Sequence, residues 1–511
     1  MKKFILLSVI LMIGTLLTQG FQCASPEMTT AKVAIQNKDW AKAEIYLEKE
    51  LDKNPQNTDA WLEMYKTKKA LGKNFEAAKS LVNAEKSNPV DQKYKDQIAI
   101  NSYQLWIKCY NDGINNFNKF LTTKNKSYFD TAIAVYDIGS IIRPEILDFY
   151  KLKGRAFEES GDTNKAISEY IKYKNEVEKD LQFLTSKKIY KFSNRNEITS
   201  VYGNPIESKG TKLGESDSSV VDYYKIDGKD VYLASIEKEK GTFTIDGWKV
   251  NPPASWIKDE KFQYFPIDLN PYTALAQIAF NRNELKQASE YTNAILQLDP
   301  NNTAANGFLI QIYDKQGNRD GALVAVKKLV DLNPGNKVYI AQYGEVLFKL
   351  EKYDEAIKQF DKALSIDPNF YTVMRNLAAC YKNIAVIKQK KQVENKEKDK
   401  NYKLDPDEYQ KDLTKSVKYF EDSRKSKDFK MDFTTLRELA NLYDVLESSN
   451  KLSSVTSDIE KIENDIPDNQ KEYYWLTLVR AYSNLLKTKS NDVTLKDKLN
   501  KAMAESDKFK K

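Results

Sequence analysis

No histidine occurs anywhere in the 511 residues. That removes the commonest general base and the commonest metal ligand together. There are only 3 cysteines, at 23, 109 and 380, so no disulfide framework holds the chain together. Cys109 and Cys380 fall in helical stretches far apart, where each suits a small buried apolar position. Glycine (18) and proline (14) are sparse, which disfavours loop-rich and all-β architectures. No HExxH, Cys-x-x-Cys, Gly-x-Ser-x-Gly or Gly-rich phosphate loop ending in Lys-Ser/Thr is present. Without histidine, a catalytic triad needs a lysine or a terminal amine as its base. Composition therefore points away from an enzyme, from a metal site and from a cofactor. A net charge of +7 is small against 80 basic and 73 acidic residues, so the nucleic-acid class gains no support either.

A repeat is present. Ala288, Ala322 and Ala356 recur at a fixed step, and so do Pro300, Pro334 and Pro368. Leu275, Leu309, Tyr343 and Leu377 keep the same step, as does the small or apolar set Ala276, Ile310, Gly344 and Ala378. Asp299, Asn333 and Asp367 precede the prolines. In one period, 338–349 and 353–366 place apolar residues three or four apart, which predicts two helices. Gly317 marks a turn, and each proline stops a helix because it lacks an N–H and disfavours helix in the residue before it. The same step relates Ala43, Leu47 and Pro55 to Ala77, Leu81 and Pro89. A helix pair repeating about every 34 residues with this content resembles the tetratricopeptide repeat family. The fold expected is mainly α: two arrays of the α-α superhelix with a small inserted α+β domain.

Residues 1–22 read as a signal peptide, with Lys2 and Lys3 ahead of the apolar run 4–17. Cys23 stands where a lipoprotein cysteine would be acylated, although Gly20-Phe21-Gln22 departs from the usual lead-in. The alternative is plain cleavage that releases a soluble exported protein. Residues 23–180 form the expected N-terminal array. It includes a long helix over 91–121 rich in aromatics and a partner over 128–142. In 181–265 the helical period fades. A helix over 196–202, a polar loop over 207–219 and strands at 220–226, 231–236 and 242–250 are expected there, with Asp227-Gly228 as a type I′ hairpin turn and Asp246-Gly247 as a bulge or turn. This insert is similar in outline to small lipoprotein domains of the outer-membrane assembly machinery. The second array spans 266–511. It carries a charged insertion at 386–408, expected either to extend a helix or to loop out, and closes on a polar capping helix from Val493.

In the family resembled, the concave surface is lined by first helices of each pair. The matching positions are Asn270, Gln277, Asn281, Gln311, Lys315, Glu345, Lys349, Arg375 and Asn383. These amides and mixed charges suit hydrogen bonding to an extended peptide or a helix. No clean lysine and asparagine pair is present to clamp a C-terminal carboxylate. The resemblance thus implies a non-catalytic scaffold in a bacterial cell envelope with a protein or peptide partner. A glycan or cell-wall polymer is the alternative ligand, and a carboxylate-based hydrolase the third reading. A row of exposed aromatics would favour the glycan, a mixed polar groove the peptide, and a pocket of converging carboxylates the hydrolase.

Overall fold

A computed structural model describes residues 25–509, apart from 88–90, 145, 214–217 and 253–257. The expected signal peptide and Cys23 lie outside the described residues. The chain divides into two compact units. The first holds 1–283 with 297–300, and the second holds 284–296 with 301–511.

The first unit begins with helix pairs. These are α1 (Pro26–Gln36) with α2 (Trp40–Lys53), α3 (Thr58–Ala70) with α4 (Asn74–Lys86), α5 (Gln92–Thr123) with α6 (Lys126–Ile142), and α7 (Asp148–Glu159) with α8 (Thr163–Glu178). Asp39, Asn57, Asn125 and Asp162 cap α2, α3, α6 and α8 by accepting from main-chain N–H groups in the first turn. Each helix packs on its successor or its successor's partner, so apolar faces too narrow to be buried alone close over one another. Aromatic rings fill the middle of this stack. Tyr136 and Phe149 are fully buried, and Trp106 meets Phe149 edge-on at 6.3 Å. A later helix, α12 (Asn270–Asn281), returns to pack on α8.

Between α8 and α12 lie short helices α9 (Leu181–Ser186), α10 (Arg195–Tyr202) and α11 (Lys258–Lys261) and a sheet. The strands are β1 (Glu207–Lys212), β2 (Ser218–Ile226), β3 (Lys229–Glu239) and β4 (Thr242–Val250), antiparallel in the order β1-β2-β3-β4. Asp227 and Gly228 both have positive φ, +48° and +77°, as the I′ turn demands. Ala234 pairs with Gly247 while Ser235 pairs with Ile245, so Asp246 is the bulged residue. The loop expected over 207–219 is corrected: its first part is strand β1. Only its first residue is even half-buried and the rest are exposed, so it shows no apolar alternation, and pairing with β2 alone makes it a strand. Asp222 holds α10 to the sheet. Its carboxylate accepts from Arg195 Nε at 2.5 Å and Nη2 at 2.8 Å, and from Ser208 Oγ at 2.5 Å.

Asp246 organises the other edge. Its carbonyl accepts from Lys191 Nζ and from the Ile267 N–H, both at 2.8 Å. Its carboxylate accepts from Lys191 Nζ on one oxygen and from Tyr264 O–H on the other. Burial lowers the Lys191 ammonium pKa while Asp246 opposes the shift. The segment 264–267 runs so close to Gly247 that a Cβ there would sit inside the Phe265 carbonyl.

The second unit continues the pairs. They include α13 (Leu285–Leu298), α14 (Thr303–Gln316) with α15 (Arg319–Leu332), α16 (Lys337–Lys349) with α17 (Tyr353–Ile366), and α18 (Tyr371–Lys398) with α19 (Pro406–Ser423). After a single turn, α20 (Lys427–Lys430), come α21 (Phe433–Val445) with α22 (Ser449–Lys461) and α23 (Lys471–Thr488) with α24 (Val493–Asp507). Ala322 and Ala356 are buried as the period requires, and α15 and α17 stop two residues before Pro334 and Pro368. The charged insertion is helical as far as Lys398, leaves the helix over 399–405 and enters α19 at Pro406. It lengthens α18 to 28 residues, and Gln392 fastens it to the 405 turn through Nε2 to the Asp405 carbonyl and Oε1 from the Asp405 N–H. The capping helix α24 buries only Ala502 and Ser506. Among the described residues, no helix is long and apolar enough to cross a membrane.

Candidate functional site

The first helices of the second unit, α14, α16, α18, α21 and α23, are joined in succession by polar contacts. Lys349 Nζ donates to Asp314 Oδ1 at 2.6 Å, linking α16 to α14. Asn376 Nδ2 donates to Glu345 Oε1 at 3.1 Å, linking α18 to α16. Lys382 Nζ donates to Glu438 Oε2 at 2.9 Å, linking α21 to α18. Arg480 donates to Asp444 Oδ2 through Nε at 2.9 Å and Nη2 at 2.8 Å, linking α23 to α21. The helix pairs are thus tied along one series of helices by groups that stay partly wet, while their apolar sides face the core. Exposed ion pairs of this kind contribute little energy individually. Their effect is to fix side-chain positions along the series.

The expected site residues fall into four groups. Asn270, Gln277 and Asn281 are on α12 in the first unit and exposed, with Gln277 Nε2 donating to Asn281 Oδ1 at 3.0 Å. Gln311 and Lys315 are exposed on α14. Glu345, Lys349 and Arg375 are engaged within the protein: the first two in the contacts above, and Arg375 with Asp432 at 3.7 Å and over the Phe429 ring at 4.6 Å. Asn383 is half-buried on α18. Burial pushes the Glu345 carboxyl above 4.5, against the pull of Asn376 and Lys349. Sequence reasoning missed Asp314, Asn376, Glu438, Asp444, Lys382 and Arg480. Partners 35, 31 and 36 residues apart span roughly one period, so a search for opposite polar groups one period apart would have found three of the four links.

The other two ligand classes find less here. The exposed aromatics Phe75, Tyr190, Phe192 and Tyr473 are spread over α4, the segment before α10 and α23. No group of three or more cysteine and carboxylate side chains able to hold a metal ion occurs among the described residues. Cys109 and Cys380 are buried, and burial pushes both thiols up to about 12, so neither is a nucleophile at neutral pH.

Residues 344–370 match the family model of the tetratricopeptide repeat. No curated protein matches the chain. Among solved structures, a MamA protein is 14% identical over 40% of this chain and 94% of its own, with a TM-score of 0.30. YrrB, described as a repeat protein with an unusual peptide-binding site, is 17% identical over 39% of this chain and 88% of its own, with a TM-score of 0.29. PilF of Pseudomonas aeruginosa is 16% identical over 47% of this chain and 96% of its own, with a TM-score of 0.34.

Proposed function

We propose that this chain, a tetratricopeptide-repeat protein, is a non-catalytic scaffold that holds a partner protein or peptide on the first-helix face of its second unit. The observation that carries the reading is the polar series itself. Links between α14, α16, α18 and α21 hold the first helices in register, and beside them Gln311 and Lys315 remain exposed to an incoming chain. Such a face offers donors and acceptors at the spacing of a repeat, which suits an extended segment or a helix. Three of its carboxylates, those of Asp314, Glu438 and Asp444, are engaged with Lys349, Lys382 and Arg480 and so help to hold the face rather than stand free on it.

The setting is a bacterial cell envelope, with the chain exported by its first 22 residues and anchored through acylated Cys23. Two acyl signals would hold it firmly, at about 0.8 kcal/mol per buried CH₂. Labelling of cells with a fatty-acid analogue is expected to mark the protein, and Cys23→Ala to release it from membranes. An unlabelled wild type together with a membrane-bound variant sinks the anchor. The partner is sought by placing a photo-cross-linking residue at Gln311 or Lys315 in the native cell. Reproducible capture of a defined protein is expected, and capture of none rejects the scaffold reading.

A further inference from the structure

A cavity of about 430 Å³ lies within the first unit, between α5, α7 and α8 on one side and the end of β4 with 263–267 on the other. This is the size of a small-molecule site, and aromatic rings share its walls with polar and charged groups. Trp106, Tyr173, Trp248, Tyr264 and Phe265 line it. Two of those walls are fixed from behind. Tyr264 is held by Asp246, and Tyr173 accepts the Asp268 N–H at 2.8 Å. The cavity is therefore built into the join of sheet and helices.

One charged group in its lining, the carboxyl of Asp180, has no partner among the described residues: it is half-buried at the start of α9, with no cap bond and no ion pair. The remaining charges of the lining are engaged. Asp148 pairs with Lys151 at 3.1 Å, Glu176 with Lys179 at 3.7 Å, and Lys249 lies over the Phe265 ring at 3.9 Å. Lys179 and Lys229 act on Asp180 through space without bonding it, and burial raises its carboxyl in spite of them. Aromatic faces attract cations, and a half-buried carboxylate attracts one more strongly.

We propose that this cavity binds a small primary amine with an aromatic or branched apolar body. The ammonium sits at Asp180 and the body lies among the aromatic rings. The site is separate from the first-helix face, so either assignment can fail alone. The test is calorimetric titration of the full chain with tyramine and with 3-(4-hydroxyphenyl)propionate, which keeps the same ring and reverses the charge. Tyramine is expected to bind saturably and the anion not at all. Asp180→Asn is expected to weaken tyramine roughly tenfold or more. Asp180 makes no contact that its amide would break, so that variant stays folded. No saturable binding of tyramine at millimolar concentration overturns the proposal. Equal binding of the anion, or unchanged affinity in Asp180→Asn, overturns it as well.

Discussion

Gly344→Ala is the sharpest probe of how a helix pair closes. Gly344 lies mid-helix in α16, and a Cβ built there falls closer than 3.0 Å to three atoms of the Phe360 ring. Carbon atoms prefer about 3.5–4.0 Å. Phe360 is 0% exposed, so its ring has no solvent to retreat into. Overpacking of this kind costs roughly 1–3 kcal/mol. Replacing a mid-helix glycine by alanine returns about 1 kcal/mol. With the ring confined, the upper end of the cost applies, leaving about 2 kcal/mol net, or roughly a thirtyfold rise in the opening equilibrium. Amide hydrogen exchange of the peptides covering 337–366 reads this locally, where a single melting temperature of a two-unit chain would not. Gly307 supplies the opposite sign. It lies within α14 with nothing within 4 Å of its Cβ position, so Gly307→Ala is expected to slow exchange over α14 about fivefold. Phe360→Leu should relieve Gly344→Ala, giving a coupling of about 1–2 kcal/mol in the double-mutant cycle. Unchanged or slower exchange over 337–366 in Gly344→Ala, or additivity within about 0.5 kcal/mol, would refute the reasoning.

Gly247→Ala forces a Cβ into the Phe265 carbonyl, backbone against backbone, and is expected to detach 264–267 from β4. Exchange at the Ile267 N–H should rise steeply while α1 to α4 keep their protection; an unchanged Ile267 rate contradicts the account. Glu345→Gln tests a buried carboxylate. Because the folded group sits above 4.5, the native state takes up its proton before the unfolded chain does. Glu345 therefore adds stability as pH falls from its raised folded value to 4.5, and nothing further below. Glu345→Gln should keep the contact to Asn376 and lose that rise, measured by calorimetry across the same window. An identical pH profile in the variant counts against the burial argument.

Much of the fold was legible because its forces are local and periodic. The 34-residue step placed Ala322, Ala356 and the helix ends before Pro334 and Pro368, since core burial and the missing proline N–H act at every repeat alike. Gly154 with Tyr170 and Gly344 with Phe360 show the same small-against-large packing in the two units, and Gly344 stood in the periodic pattern. Asp227-Gly228 announced its own turn. β1 escaped notice because a strand exposed on both faces carries no alternation. The charged stretch after Tyr381 was ambiguous because lysine and glutamate suit a solvated helix and a loop equally; what decided it was Gln392 reaching Asp405. The cavity left no trace in the pattern at all. Trp106, Tyr173, Asp180 and Trp248 come from separate elements, and only tertiary packing brings them to one space.

The account stands on the first-helix face of the second unit as the place where a partner sits. The direct measurement is a photo-cross-linking scan in the native cell, with the probe moved from Gln311 and Lys315 on α14 to Lys327 and Lys328 on α15. The account predicts one partner captured from the α14 positions and little or none from α15. Equal capture from both helices, or capture from α15 alone, would contradict it.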